Sequence, residues 1–326
     1  PNGNLLTDYD YLAKGFLFIV IFSKMIFPFL GDLQSVQLLQ GFTHIIFSLI
    51  IINLLKKDYQ KWLFVILYML NPFILYFVNF PYYYFWQFIP SVIFLIYFLA
   101  NKKIGNGIFI LSIIFIFIYI TRPTVLFFVL FFYVLYGYRE GWIKSILGII
   151  LFSIFITAIP KYGFGPWHTA YVGIGAYDNK YDITTSDNDG YDYFKSRVGK
   201  TLNSSTITNK KLRSEYYEIL KNRCLSIAKE SPSLLIRNAL FNILQSYSLG
   251  YETNRIYLSY IISFLGLIFI MLLLYTKQYL LFFAIGLSSI GFTPYYPPIP
   301  AYMFGSYSLL TVGFIFILDY FFEKNK

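Results

Sequence analysis

Few residues of this chain are equipped for chemistry, and most of them fall in one polar stretch, residues 161–254. It runs through Gly165-Pro166-Trp167-His168-Thr169-Ala170-Tyr171, then Tyr177-Asp178-Asn179-Lys180-Tyr181-Asp182, then Ser186-Asp187-Asn188-Asp189-Gly190-Tyr191-Asp192-Tyr193. A long ordered loop of this kind commonly carries function. An imidazole can hydrogen-bond a phosphate or a sugar, and an indole face can stack on an apolar ring. Trp167-His168 therefore reads as a substrate contact, with a structural loop anchor as the alternative. Tyr171, Asn179, Asp187 and Asp189 join Trp167 as candidate substrate-loop residues. The acids Asp178, Asp182, Asp187, Asp189 and Asp192 leave a divalent cation open as a cofactor, beside the plainer reading of solvated turn-formers. An EF-hand is excluded, because its first and twelfth positions would be Thr185 and Ser196, and a bidentate Glu is required at the twelfth.

Outside that stretch, Arg122 stands alone in Ile120-Thr121-Arg122-Pro123-Thr124, between two apolar runs. An arginine at a membrane boundary is costly unless paired or placed at a headgroup. Pro123 suits the first turn of a following helix, where its missing N–H costs nothing. That turn would aim the planar donors of Arg122 into an outer cavity, where they suit a phosphate. An interfacial, snorkelling arginine is the alternative. Asp8 and Asp10, in Leu6-Thr7-Asp8-Tyr9-Asp10-Tyr11, are candidate general bases for an acceptor hydroxyl. The aromatic runs Pro81–Trp86 and Pro294–Pro298 would line a sugar or polyprenyl cavity, or form ordinary interfacial belts. His44 reads as a helix-packing contact. Cys224, the single cysteine, excludes an intrachain disulfide and a thiolate cluster, and a nucleophilic role for it is the weaker reading.

These residues must be positioned by membrane helices, because 57% of the chain is hydrophobic and 13% charged. The net charge of +10 sits mainly between apolar runs, so topology explains it better than nucleic acid, which is not expected as a partner. Apolar segments lie at 15–30, 34–55, 61–78, 84–100, 107–121, 123–137, 142–160, 256–276, 278–293 and 302–321. Lysines and arginines follow alternate segments: Lys56, Lys57, Lys61; Lys102, Lys103; Arg139, Lys144; Lys277; Lys324, Lys326. The intervening short connections carry Arg122 alone. The positive-inside rule puts the lysine-bearing loops in the cytoplasm and residues 161–254 outside. The first segment is short and holds Lys24 and Pro28, so it reads as interfacial. The expected fold is an all-α integral membrane protein of about nine transmembrane helices, with an interfacial N-terminal helix and one large extracytoplasmic loop. Residues 1–160 form the first helical region, lacking a first helix. Residues 161–254 form the loop, irregular over 161–207, with amphipathic helices at 209–230 and 233–247. Residues 255–326 close the bundle.

The order Arg122-Pro123, Trp167-His168-Thr169, Gly173-Ile174-Gly175, Asn179-Lys180-Tyr181 and Asp187–Asp189 resembles bacterial polytopic glycosyltransferases of the GT-C superfamily. The nearest type is that similar to dolichyl-phosphate-mannose protein mannosyltransferases. Tyr216-Tyr217-Glu218-Ile219-Leu220, running to Glu230-Ser231-Pro232, resembles the helix before that family's later spans. The resemblance implies transfer of a sugar from a polyprenyl-phosphate donor to a lipid, glycan or protein acceptor, on the outer face of a bacterial cytoplasmic membrane. It implies an inverting displacement, with a carboxylate activating the acceptor and basic groups stabilising the departing phosphate. Arg122, helped by His168 or Lys161, would bind that phosphate. The family places its acid after a first transmembrane helix, which this chain lacks, so Asp8 or Asp10 would have to stand in. Two other classes compete. An O-antigen polymerase or ligase would use Arg197, Arg213, Arg223, Arg237 and Arg255. A polysaccharide or lipid transporter would show duplicated halves and charges within helices, and the sequence has neither in any number.

Overall fold

The computed structural model describes residues 14–158, 166–202, 210–252 and 256–324; Asp8, Asp10 and Lys161 lie outside the described residues. Every regular element among those residues is helical. The chain divides into two compact units, the first comprising Pro1–Tyr162, Ile268–Gly291 and Pro300–Lys326, the second Gly163–Leu267 and Phe292–Ile299.

The first unit opens with α1 (Lys14–Ile26), α2 (Asp32–Leu54) and α3 (Asp58–Phe64). It continues with α4 (Pro72–Asn79), α5 (Phe88–Ala100), α6 (Gly107–Thr121), α7 (Leu126–Glu140) and α8 (Trp142–Ala158). Pro28 stops α1 at Ile26, because a proline cannot continue the ladder. The segment expected as one helix over 61–78 is broken. α3 runs into a π-helical turn, Val65–Met69, and α4 restarts at an angle of 50°. The cause is Asn71-Pro72: the proline removes a donor at N1, and the Asn71 side chain caps the new helix by accepting the Phe73 N–H at 2.9 Å.

The second unit holds α9 (Pro166–Gly173), α10 (Asp187–Val198), α11 (Lys210–Glu230), α12 (Pro232–Ser246) and the start of α13 (Ile256–Tyr275). The two expected amphipathic helices match α11 and α12, with Pro232 at the first turn of α12. The expectation of irregular chain over 161–207 is corrected by α9 and α10. Ser186 caps α10 by accepting the Asn188 N–H, Asp187 and Asp189 sit in its first turn, and Gly199 in the left-handed region ends it. The chain then returns to the first unit as α14 (Tyr279–Ser289), α15 (Pro300–Met303) and α16 (Tyr307–Lys324).

Among the described residues, α2 and Tyr257–Tyr275 of α13 are long and apolar enough to cross a membrane, with a third span if the bent pair Asp58–Met69 and Pro72–Asn79 is one crossing. The other apolar helices, such as Gly107–Thr121 and Tyr279–Ser289, run 10–17 residues. The all-helical expectation therefore holds, while two or three helices, not about nine, reach spanning length on their own.

The first unit has two chemically distinct ends. At one, Lys57 pairs with Asp319 and, at 2.7 Å, with Glu323, and Lys324 donates to the Tyr275 hydroxyl. Arg139 donates to Asn101 and stacks on Tyr97, while Glu140 accepts the Ile104 and Gly105 N–H groups at 2.7 Å. A cavity of about 580 Å³ ties these loops together, lined by residues from 54–57, 98–101, 278 and 319–323. The opposite end is aromatic and amide-rich. Gln40 donates to the Val78 and Phe80 carbonyls, and Gln87 to Ala301 at 2.6 Å. Here Thr124 approaches Gly291 backbone to backbone.

Candidate functional site

Arg122 lies at that aromatic end. It caps α6 in an extended conformation (φ −148°, ψ 94°), its N–H closing the helix on Ile118 O at 2.7 Å. Pro123 then opens a 3₁₀ turn, Pro123–Val125, that leads into α7. The guanidinium is held by three tyrosine rings, its Cζ lying 4.2 Å from the centroid of Tyr302, 5.1 Å from Tyr84 and 5.3 Å from Tyr83. Among the described residues no carboxylate comes within ion-pair distance of it. Its Nε is buried without a hydrogen-bond acceptor. Each ring face offsets roughly 0.5–2 kcal/mol of desolvation, which holds the cation without neutralising it. The guanidinium stays a cation, with a donor taken up by the Tyr302 side chain. One of the two aromatic runs, Pro81–Trp86, thus supplies part of the cage.

His168 belongs to the second unit and is 4% exposed. Nε2 faces Asp187 Oδ1 at 3.1 Å, and Nδ1 shares a hydrogen bond with the Tyr216 hydroxyl. A carboxylate oxygen is the acceptor toward Nε2–H, which leaves Nδ1 to accept from the Tyr216 hydroxyl. Burial raises the Tyr216 hydroxyl far above the ordinary phenol value, keeping it a donor. Tyr191 stacks on the imidazole at 5.5 Å. Both ring nitrogens, expected to serve a phosphate, are engaged by protein. His168 anchors α9 to α10 and α11. Arg122 and His168 fall in different units, each with its own partners.

The remaining loop candidates are also placed. Asn179 pins its own turn: Oδ1 accepts the Tyr181 and Ile183 N–H groups at 3.1 and 3.2 Å, and Nδ2 donates to the Tyr177 and Ile183 carbonyls. Its amide is consumed by the turn. Asp189 accepts the Thr184 N–H. Tyr171 is buried against Tyr193 at 5.5 Å, and burial pushes its hydroxyl up to about 12. Trp167 lines an apolar cavity of about 200 Å³ with Ala170, Ile174, Cys224, Leu235 and Tyr295. Gly173 forms part of its wall for a steric reason: a Cβ there would fall 2.0 Å from the Tyr295 carbonyl oxygen. Among the described residues no three His, Cys, Asp or Glu side chains converge to hold a metal ion.

Burial pushes the Cys224 thiol up to about 12, against the partial counter-effect of Arg223. It is protonated at neutral pH and unsuited to nucleophilic attack. Of the arginines that a polymerase or ligase would use, Arg223 resembles Arg122 in that its Nε is buried without an acceptor. Arg223 sits between Tyr181 and Tyr193, Arg197 also stacks on Tyr193, and Arg237 donates to the Asp178 carbonyl at 2.9 Å over Tyr177. Arg255 lies outside the described residues. Tyr302 and Tyr216 complete the two clusters; Tyr216 falls on the expected helix 209–230, but each meets its partner only through tertiary packing. No family model, curated protein or solved structure matches this chain.

Proposed function

We propose that this chain is a membrane glycosyltransferase. It moves a sugar from a polyprenyl-phosphate donor to a lipid, glycan or protein acceptor on the outer face of a bacterial cytoplasmic membrane. One observation carries the reading: Arg122 is a cation caged by Tyr83, Tyr84 and Tyr302 with no carboxylate partner among the described residues. A half-buried cation without an anion is costly at a membrane boundary, and a lipid phosphate would supply that anion. The acceptor oxygen forms a bond to the anomeric carbon as the bond from that carbon to the phosphate oxygen breaks. The acceptor proton goes to a carboxylate, and negative charge builds on the leaving phosphate beside Arg122. The gathering of Lys57, Arg139, Glu140, Asp319 and Glu323 at one end of the first unit supports placing that end in the cytoplasm and the Arg122 end outside. On this proposal the shorter apolar helices complete the crossings with their flanking turns, as Pro123–Val125 extends α7. The loop of residues 161–254 is then extracytoplasmic.

The test is glycosyl transfer from purified polyprenyl-phosphate sugar in membranes. A charge-assisted bond to phosphate is worth roughly 1.5–3 kcal/mol, or about ten- to a hundredfold. Arg122→Ala is expected to lose that much donor use at normal abundance. Arg122→Lys should lose less, keeping charge without the planar fork. Unchanged transfer in Arg122→Ala would reduce the residue to an interfacial anchor and remove the reading's support. Activity confined to lipid-linked oligosaccharides would favour a polymerase or ligase.

A further inference from the structure

Helix α12 is amphipathic the wrong way round for a helix in water. Its buried stripe is polar: Asn238, Asn242 and Gln245 are 5%, 1% and 0% exposed. On the opposite side, Ile236 and Leu240 are 61% and 57% exposed. A water-facing helix buries its apolar stripe, as the neighbouring α11 does with Tyr216, Leu220 and Ile227 inside and Lys221 and Glu230 outside.

The polar stripe has specific work within the second unit. Asn242 Nδ2 donates to the Thr293 carbonyl at 3.1 Å, and Gln245 Nε2 to the Ser259 carbonyl at 3.0 Å. Asn238 Nδ2 donates to the Ile174 carbonyl at 3.1 Å. Thr293 lies in the non-helical run 290–299, whose backbone groups need protein partners wherever water is absent.

The depth of α12 is fixed by α13. A Cβ at Gly266 would fall 1.8 Å from the Leu244 carbonyl oxygen, so the two helices meet there backbone to backbone. Gly266 lies nine residues into the span Tyr257–Tyr275. At 1.5 Å per residue that is about 14 Å below the helix start, near the middle of a ~30 Å hydrocarbon core.

We infer that α12 is immersed in the bilayer, its Ile236–Leu240 stripe facing lipid hydrocarbon and its amide stripe serving the chain behind it. The inference requires only that α13 crosses a membrane and stands apart from the transfer reaction proposed above.

Spin labels at positions 236, 240 and 221, in a Cys224→Ser background reconstituted into phosphatidylglycerol/phosphatidylethanolamine vesicles, test it. All three sites are exposed, so labelling should leave the fold intact. Relaxation at 236 and 240 is expected to be dominated by oxygen, with nickel-chelate accessibility at least fivefold below that at 221. Nickel accessibility at 236 and 240 equal to that at 221 would place α12 in water and overturn the inference. So would protection from both reagents, which would mean a protein partner covers the stripe. In either event the Arg122 assay would be unaffected.

Discussion

Arg122 and His168 are both polar groups lodged among aromatic rings, yet their surroundings differ in kind. The imidazole has Tyr216 on one nitrogen and Asp187 on the other, whereas the guanidinium has three ring faces and no anion among the described residues. Cys224 shows the same dependence on surroundings. Its raised pKa means the folded chain holds a proton that the unfolded chain releases near the ordinary thiol value. Its contribution to stability is therefore fully present below that value and is lost as pH rises from there through about 12. At pH 8 the thiolate fraction is then about one in ten thousand, and iodoacetamide should modify the native protein at least a hundredfold more slowly than the denatured chain. Melting midpoints should diverge between wild type and Cys224→Ser only above about pH 9. Rapid alkylation of native protein at pH 8 would contradict this environment. Residue types made Arg122 and the Trp167-His168 pair visible in the sequence. The places of Tyr302 and Tyr216 beside them were not visible, because tertiary packing alone brings them there.

At the scale of elements, periodicity located α11 and α12 to within a residue or two, because Pro232 separates two clear helical stripes. It missed α9 and α10, since Gly, Asn and Asp weigh toward loops while the capping by Ser186 and Gly199 depends on backbone geometry. It also merged α3 and α4, because apolar content continues through the Asn71-Pro72 break. The polar face of α12 could not be assigned to the interior from sequence, as a stripe of amides is ordinarily a solvated face. Two glycines offer a matched test of element packing. Gly266→Ala places a methyl 1.8 Å from a carbonyl oxygen that cannot swing away, and α12 must shift from α13. Overpacking of this kind costs about 1–3 kcal/mol, which should appear as a lower melting midpoint in detergent. Gly41→Ala, in α2, meets nothing within 4 Å. The gain in helix propensity, up to about 1 kcal/mol, should leave its midpoint equal or higher. Equal behaviour of the two variants would refute the close approach of Gly266 to Leu244.

For the molecule as a whole, the distribution of charge is the strongest guide to orientation. Lysines and arginines alternate along the chain between loops that hold them and loops that do not, and tertiary structure collects the bearing loops of the first unit around Lys57, Asp319, Arg139 and Glu140. Salt screens such exposed pairs, and each contributes little to stability. Their consequence lies in topology: a membrane that retains positive loops on its cytoplasmic side fixes one orientation. At the other end Arg122 is shielded by aromatic rings, and Lys24 pairs with Asp32 at 3.9 Å. Single cysteines in a Cys224→Ser background should therefore report opposite sides. A membrane-impermeant maleimide should label Asp182→Cys on intact cells and Lys103→Cys only after permeabilisation. Labelling of Lys103→Cys on intact cells, with Asp182→Cys protected, would invert the protein in its membrane. The caged arginine would then face the cytoplasm, and a lipid-phosphate donor presented on the outer leaflet could not be its ligand.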